Sequence, residues 1–222
     1  MTLSDRARTH AALGDERRLL IVDELTLSDR TVAELARISG MEGNLLAHHL
    51  DILEGAGLIE RRVSEGDRRR RYVSLTPGRQ PVEVGPGLRP FEEIAFVCTH
   101  NSARSQFAAA YWTRETGRRA TSAGSRPSAT VHPKAVRVAL ERGIDLSRAT
   151  PGGYERIPAE PDLLISVCDR ARESGLPKAK IDLHWSVPDP VADGTDRAFR
   201  SAFDEIAERV GKLTTATLAG PE

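Results

Sequence analysis

The sequence predicts two folds in succession: an α+β winged helix domain, and then an α/β domain with a parallel sheet and a P-loop. A run of helical patterns followed by two short extended segments fills the first part of the chain. A stretch rich in proline and glycine interrupts it, and apolar strands then alternate with helical segments. We therefore divide the chain into domains at 1–77 and 91–222, joined by a linker at 78–90.

Composition limits the classes of protein that the chain can represent. Its 222 residues are 39% hydrophobic and 29% charged, which is typical of globular domains. The 32 basic side chains balance the 32 acidic ones, which excludes a uniformly basic nucleic-acid binder but not a local basic patch. Two cysteines do not make a disulfide scaffold, and no apolar run approaches the ~20 residues that cross a bilayer. We expect a cytoplasmic protein without a signal peptide or membrane contact.

The first domain is predicted from helical periodicity and turn residues. Asp15 is suited to cap a helix over DERRLLIVDELTL, and TVAELARISG is a shorter helix that ends at Gly40. A third helix runs from about Glu42 to Glu54 and has leucines on one face. The extended segments LIERRV and RYVSL, joined by SEGDRRR, form a hairpin.

This order of elements is typical of a winged helix-turn-helix, whose second helix lies in the major groove of double-stranded DNA. Side chains on the helix face opposite the leucines are Asn44, Ala47, His48 and Asp51, of which we expect the first three to meet bases or phosphates. The hairpin adds arginines suited to phosphates: Arg61, Arg62, Arg68, Arg69, Arg70 and Arg71. The alternative is a structural or protein-binding module. The adjacent histidines do not form a zinc site by themselves, so we predict no metal.

The stretch from Ala12 to Thr76 resembles an ArsR-type regulator. The resemblance lies in ALGDERRLLIVDEL and above all in HHLDILEGAGLIERR. It implies a homodimeric transcriptional repressor on palindromic operators. The chain departs from the metal-sensing members, which often carry cysteines in or near the first helix of the helix-turn-helix, because it has no cysteine before Cys98. The family's dimerising helix after the wing is replaced by the linker.

The second domain alternates strands and helices. Strands are predicted at EIAFVC, ATSAGS, DLLISVC and KIDLHWSV, and helices at ARSQFAAAYWTRET, HPKAVRVALERG and TDRAFRSAFDEIAERVGKL. Such alternation favours a parallel sheet with helices on both faces.

The segment FVCTHNSARSQ places Arg104 six residues after Cys98, between a buried strand and a helix. A loop of this length can wrap a tetrahedral oxyanion with its N–H groups, aided by the helix N-terminus and by the forked guanidinium. The same field favours the Cys98 thiolate, to which Ser105 can donate, and Asn101 tolerates left-handed backbone. The alternative is a buried structural cysteine. The predicted oxyanion binders are Thr99, His100, Asn101, Ser102, Ala103, Arg104 and Ser105.

A second candidate lies in VPDPVADG, where Asp189 stands between two prolines after the fourth strand. A rigidly held carboxyl group there is suited to act as general acid. An ordinary turn is the alternative reading of the same pattern.

From about Ile94 to Leu213 the chain resembles the low-molecular-weight protein tyrosine phosphatase and arsenate reductase family. FVCTHNSARSQFAAA, TSAGS, ERGIDLS, PDLLISVCD and the DP pair carry the resemblance. It implies that Cys98 is the nucleophile, Arg104 the oxyanion binder and Asp189 the acid. Ser-Gln after the arginine is similar to the arsenate reductase branch, whereas the phosphatase branch usually has Ser-Pro.

Three positions depart from that family. His100 and Ala103 stand where many members have glycine and a second loop cysteine. Cys168 matches a redox cysteine of the thioredoxin-coupled reductases, but their further cysteine, seven residues on, is Gly175 here. We therefore expect no bound cofactor and an external thiol as reductant: thioredoxin, glutathione or mycothiol.

The sequence thus predicts a DNA-binding regulator fused to a cysteine-dependent, arsenate reductase-like domain. One alternative is a tyrosine phosphatase, in which water resolves a cysteinyl-phosphate. The other is a pure transcription factor whose second domain senses arsenate or phosphate without turnover.

Overall fold

A computed structural model describes residues 2–78, 88 and 91–218 of the chain. They form two compact units, one holding most of residues 2–78 and the other residues 91–218. Apart from Gly78 and Leu88, the predicted linker at 78–90 lies outside the described residues. The domain limits at 77 and 91 therefore stay predictions.

The first unit contains four helices and a three-stranded antiparallel sheet. The helices are α1 (Leu3–Leu13), α2 (Glu16–Leu25), α3 (Val32–Ser39) and α4 (Gly43–Gly55). The strands are β1 (Arg30–Thr31), β2 (Ile59–Val63) and β3 (Arg71–Leu75), in the order β1-β3-β2. The predicted hairpin is β2–β3, with Ile59 opposite Leu75. The sequence did not predict β1, because two residues are too few to show alternation.

Leucines of α4 anchor the core of the first unit, as their spacing predicts. Leu46, Leu50 and Leu53 are buried and pack in one cluster with residues such as Ile21 and Leu35. The opposite face of α4 is left exposed by this packing.

Asp15 caps α2 as predicted, and its removal gives a first test of the fold. Its Oδ1 accepts hydrogen bonds from the backbone N–H groups of Arg17 (3.0 Å) and Arg18 (3.1 Å). Asp15→Ala leaves both donors without this acceptor, so we expect the free energy of unfolding and the urea midpoint to fall. Urea unfolding followed by circular dichroism measures the change. Asp15→Asn keeps an acceptor and should cost less; equal losses for both variants would contradict the cap as the cause.

The second unit is built on a four-stranded parallel sheet, as predicted. Its strands are β4 (Ile94–Cys98), β5 (Thr121–Gly124), β6 (Leu163–Ser166) and β7 (Ile181–His184), in the order β5-β4-β6-β7. All five residues of β4 are buried, and this strand has a neighbour on each side. The carboxyl ends of the strands therefore gather at one edge of the sheet.

Three long and two short α-helices accompany these strands within the described residues. They are α5 (Arg104–Thr116), α6 (Pro133–Glu141), α7 (Asp169–Glu173), α8 (Pro190–Asp193) and α9 (Asp196–Leu218). Of these, α5, α6 and α7 lie between strands, and α8 and α9 follow β7. The three long ones were predicted. The short helices α7 and α8 were not, because one turn shows no period.

Side chains from outside the α-helices cover part of one face of this sheet. On one face, Ala95 and Val97 of β4 pack against Tyr154, Ile157, Leu176 and Ala179. These four side chains come from a 3-10 turn (Tyr154–Arg156), the residue after it and a loop, not from α-helices. Turn and loop side chains therefore cover this part of the sheet, and α7 also packs against β4 and β6.

Among residues 2–78, 88 and 91–218, no helix has both the length and the apolar character needed to span a membrane.

Candidate oxyanion-binding site

The loop between β4 and α5 carries the predicted cysteine and arginine at its two ends. Cys98 is the last residue of β4, and Arg104 is the first residue of α5. The Cys98 side chain is buried, as are those of Thr99, Asn101 and Ala103. The loop therefore lies at the edge of the sheet where parallel strands present their carboxyl ends.

The carbonyl groups of this loop are held on its outer side. Those of Cys98, Thr99, His100 and Ser102 accept hydrogen bonds of 2.8 to 3.1 Å from the backbone N–H groups of Ser125, Arg126, Ser128 and His132. In a trans peptide the N–H group points opposite to the carbonyl of the preceding residue, and the described peptides include no cis bond. The N–H groups that follow these carbonyls are thus directed inward, as an anion nest requires.

Asn101 has the left-handed backbone that the sequence predicts for this loop. Its φ is 50°, and its N–H group donates to the Cys98 sulfur at 3.1 Å. Its side-chain Nδ2 donates to the hydroxyl oxygen of Ser105 at 2.8 Å. Ser105 Oγ lies 3.1 Å from Cys98 Sγ, and the bond that it accepts from Asn101 leaves its own hydrogen free for that sulfur. Two donors therefore meet the sulfur of the predicted nucleophile.

Gly124, at the end of β5, makes room for the loop. A Cβ atom at this position would lie 2.8 Å from the carbonyl oxygen of Thr99 and 3.0 Å from the nitrogen of Asn101. Both neighbours are backbone atoms, so neither can move without moving the loop. In the sequence, TSAGS is only one of the segments that carry the family resemblance. The close approach of the loop backbone explains physically why its last-but-one residue is glycine.

Gly124→Ala should therefore damage the site more than the fold. We expect turnover to fall roughly 100-fold, because a displacement of about 1 Å in a reacting group has that effect. Steady-state kinetics beside a thermal melt measure both. Gly211→Ala is the control, since an added Cβ there meets no atom within 4 Å. Unchanged kinetics in Gly124→Ala would show that the loop tolerates the displacement.

Arg104 and Asp189 come together beside the loop. The Arg104 side chain is 5% exposed; its Nη1 donates to the carbonyl of Val187 at 2.7 Å, and its Nη2 lies 3.3 Å from Asp189 Oδ1. Burial lowers the pKa of Arg104, but Cys168, Asp189 and Cys98 together raise it above its ordinary value, so the guanidinium stays charged. Asp189 also caps α8 through the N–H group of Val191, at 3.2 Å. The placement agrees with the predicted acid and anion binder, whose roles stay predictions.

Cys168 lies just beyond β6, the strand next to β4. Its sulfur is 3.4 Å from Thr99 Oγ1 and accepts a hydrogen bond from the N–H group of Ala171 at 3.4 Å. Burial raises the pKa of the Cys168 thiol to about 11, so the thiol is protonated at neutral pH. Cys168 therefore contacts Thr99, the residue that follows Cys98.

The remaining predicted loop residues contribute through the main chain. The His100 side chain is exposed and Ser102 is half-buried. Ala103 has no polar side chain, so only backbone groups at this position can meet an anion. Among the described residues, no group of three or more histidine, cysteine or acidic side chains is arranged to hold a metal ion.

Sequence reasoning missed a buried polar chain beside Cys168. Ser166 Oγ lies 2.9 Å from His184 Nδ1, and His184 Nε2 lies 3.2 Å from Asp169 Oδ1. Burial alone would raise the pKa of Asp169, but the hydrogen bonds from His184 and Ser186 lower it below its ordinary value. These hydrogen bonds connect β6, α7 and β7. Polar residues at the ends of two parallel strands were its only signal in the sequence.

In the first unit, the candidate DNA-contacting residues fall into two groups. Asn44, Ala47 and His48 are exposed on α4, as the leucine spacing predicts, and so are the four arginines from Arg68 to Arg71. Arg61 and Arg62 are half-buried and held by carboxylates. Arg61 pairs with Asp51 and Glu54, and Arg62 pairs with Glu60. A phosphate contact by either of these two would have to compete with its ion pairs.

Comparison with known proteins gives a class to each unit. The family model "Low molecular weight phosphotyrosine protein phosphatase" matches residues 93–220, and "Bacterial regulatory protein, arsR family" matches residues 15–61. The fold and the loop thus define a phosphatase-type domain that follows an arsR-type helix-turn-helix. The chain belongs to the low-molecular-weight phosphotyrosine protein phosphatase family, in which its second domain is arsenate reductase-like.

Individual relatives point to that branch. An arsenate reductase of Halalkalibacterium halodurans is 33% identical over 125 residues, which cover 54% of this chain and 89% of the relative. A glutaredoxin arsenate reductase of Synechocystis is 32% identical over 128 residues, covering 55% and 95%. Vibrio vulnificus Wzb in complex with benzylphosphonate has a TM-score of 0.50 at 18% identity, covers 57% of this chain and 99% of its own, and shows the fold alone.

Proposed function

We propose that the chain is a DNA-binding regulator joined to an arsenate reductase that acts through Cys98. The observation that supports this most is the Cys98 loop, whose carbonyls are bonded outward while two donors and Arg104 surround the sulfur. Such a site favours a thiolate and stabilises the charge of a bound tetrahedral oxyanion.

In the first step the Cys98 thiolate attacks arsenate. An S–As bond forms, and one arsenate oxygen leaves as water after taking up protons. We propose that the protonated carboxyl group of Asp189 supplies one of these protons, which its position 3.3 Å from Arg104 supports. Arg104 and the inward N–H groups hold the other oxygens.

In the second step another thiolate attacks the Cys98 sulfur. A disulfide forms, the electron pair of the S–As bond passes to arsenic, and As(V) leaves as arsenite. Cys168 is one candidate for this thiol. Val97 of β4 lies opposite Ser166 of β6, and neighbouring strands are about 4.8 Å apart. Cys98 and Cys168 follow this pair by one and two residues, so we expect their Cα atoms to lie near the ~7 Å limit for a disulfide.

A small external thiol is the other candidate. The thiol of Cys168 has a raised pKa and must lose a proton before it can attack. The chain has only two cysteines, so no third one can carry a disulfide outward. Either route therefore ends with an external thiol reductant, which we propose to be thioredoxin, glutathione or mycothiol.

The first domain, residues 1–77, is proposed to bind a double-stranded operator as a homodimer in the cytoplasm, with residues 91–222 as the enzyme domain. The exposed face of α4 supports base contacts, and the exposed arginines from Arg68 to Arg71 support phosphate contacts. The arsR-family match over residues 15–61 covers this helix-turn-helix.

Replacing Arg68, Arg69, Arg70 and Arg71 by alanine should weaken DNA binding on every sequence and flatten its salt dependence. The slope of log K against log salt should fall by about 0.9 for each phosphate that the protein no longer neutralises. Fluorescence anisotropy of the full chain on duplex DNA at several salt concentrations measures this slope. Arg61→Ala is the single-site comparison: Arg61 pairs with Asp51 and Glu54, and its loss should lower the slope by no more than the share of one phosphate. Asn44→Ala should instead alter the preference between sequences. Salt-independent binding in the unaltered chain would contradict the proposal.

One assay separates the proposed enzyme from its alternatives. Arsenite formation is measured with the thioredoxin, glutathione and mycothiol systems in parallel, against hydrolysis of p-nitrophenyl phosphate. We expect arsenite with at least one reductant and slower ester hydrolysis. Ester hydrolysis with no arsenite would favour the phosphatase, for which Asp189 beside Arg104 is the supporting contact. Silence in both assays, with DNA released by an oxyanion, would favour the sensor.

A further inference from the structure

Gln106 is a buried polar residue of α5 to which the chemistry above gives no part. It lies one residue after Ser105, and only 5% of it is exposed. Its Nε2 donates two hydrogen bonds, both to Asn101: one to the main-chain carbonyl at 3.1 Å and one to Oδ1 at 3.1 Å. Because both hydrogen bonds go to the same residue, Gln106 fixes the backbone and the side chain of Asn101 together.

The direction of these bonds is set by chemistry. A main-chain carbonyl can only accept, so the Nε2 end of Gln106 must face Asn101. Asn101 Oδ1 also accepts from the N–H group of Gly152 at 2.9 Å, which leaves Nδ2 to donate to Ser105. The hydrogen bonds therefore run one way, from Gln106 to Asn101, to Ser105 and to the Cys98 sulfur.

Gln106 also completes the outward bonding of the loop. The carbonyls of Cys98, Thr99, His100 and Ser102 are held by the segment 125–132, and the carbonyl of Asn101 is held by Gln106 instead. Asn101 is the loop residue with positive φ, a conformation that costs energy for a residue other than glycine. The two bonds from Gln106 supply the constraint that this conformation needs.

We propose that Gln106 is a positioning residue that holds Asn101 in its left-handed conformation and so directs the Asn101 N–H group and the Ser105 hydroxyl onto the Cys98 sulfur. Gln106 acts through Asn101 and does not touch the oxyanion. The turnover part of its test rests on the proposed function, whereas the reactivity of Cys98 does not.

Gln106→Met is the main variant, because methionine has the same chain length without the two donors. The rate of Cys98 alkylation by iodoacetamide is measured by mass spectrometry at a series of pH values. We expect this pH profile to shift to higher pH by roughly one unit in Gln106→Met, since a hydrogen bond to the thiolate is weakened. Protection of Cys98 by inorganic phosphate should weaken. The kcat for arsenite formation should fall roughly 10- to 100-fold, as for a displaced reacting group.

Gln106→Glu gives a second readout that a purely structural role would not move. An ionised carboxylate at this position faces two acceptor oxygens, whereas the protonated acid regains one donor. The rate of Cys98 alkylation in Gln106→Glu, divided by the rate in the unaltered protein at the same pH, should therefore rise as the pH falls. Thr113→Ala removes a hydrogen bond from the same helix, to the carbonyl of Ala109, and serves as the control with an unchanged alkylation profile.

The outcomes are distinct. A shifted alkylation profile in Gln106→Met, with a melting temperature near that of Thr113→Ala, supports the proposal. An unshifted profile in both Gln106 variants overturns it, whatever happens to stability. If Gln106→Met fails to fold, the relative pH dependence of Gln106→Glu decides alone. If the unaltered protein makes no arsenite, the proposed function fails, and the alkylation profiles still decide the role of Gln106.

Discussion

Cys98→Ser should abolish arsenite formation under every reductant. A serine hydroxyl is a far weaker nucleophile than a thiolate, and an oxygen at this position cannot form the disulfide that supplies two electrons to arsenic. Loss of an essential nucleophile typically costs about 10⁴-fold or more in kcat. Arsenite is measured over hours with thioredoxin, glutathione and mycothiol systems, and phosphate binding is followed separately to show that the anion site is intact.

Cys168→Ser is the matched control, because it makes the same substitution at the other cysteine. If Cys168 resolves the arsenic adduct, this variant stops after the first step and its adduct on Cys98 is visible by mass spectrometry. If a small thiol resolves it, Cys168→Ser keeps its activity with glutathione or mycothiol. Residual arsenite formation in Cys98→Ser beyond that of a chain lacking both cysteines would contradict the proposed nucleophile.

The sequence predicted those parts of the fold in which apolar residues follow a regular spacing or a continuous run. The spacing of Leu46, Leu50 and Leu53 predicts both the core face of α4 and the exposed face that carries Asn44 and His48. The apolar run EIAFVC predicts a buried strand, and all five residues of β4 are buried. Helical layers on both faces do not follow from alternation alone, because loop side chains such as Leu176 can cover a sheet as well.

The candidate site was predictable where its chemistry is local. Cys98 and Arg104 are separated by one loop, so their spacing alone indicates an anion site. The bonds that orient the loop come from residues 125–132 and from Gln106, and nothing in their spacing predicts which carbonyl each one holds. Gly124 is needed for a contact with Thr99 and Asn101, which are distant in sequence.

The arginines of the hairpin show the same limit for charge. The sequence contains six arginines in the hairpin, but it does not show which carboxylates lie beside them. In the structure Arg61 lies against Asp51 and Glu54, so part of its charge is already balanced. Arg61 is half-buried, but Asp51 and Glu54 are exposed, so solvent weakens these pairs and a DNA phosphate can still compete for the arginine.

Arg104→Lys should lower kcat/KM for arsenite formation by roughly 10²- to 10³-fold, the range seen when a donor to a developing oxyanion is removed. The charge is kept, so the effect measures geometry. The guanidinium donates to the carbonyl of Val187 with one nitrogen and meets Asp189 with the other. A lysine ammonium is a single point of charge and cannot keep these contacts and grip two oxygens together.

Arg137→Lys is the control for this substitution. Arg137 is exposed on α6 and pairs with Asp196, so the same change there should leave kcat/KM unaltered. Protection of Cys98 by phosphate against alkylation gives a binding readout that needs no turnover, and it should weaken in Arg104→Lys alone. Equal kinetics in both variants would mean that charge without the planar fork is enough. The anion would then be held chiefly by the inward N–H groups of the loop, which neither substitution alters.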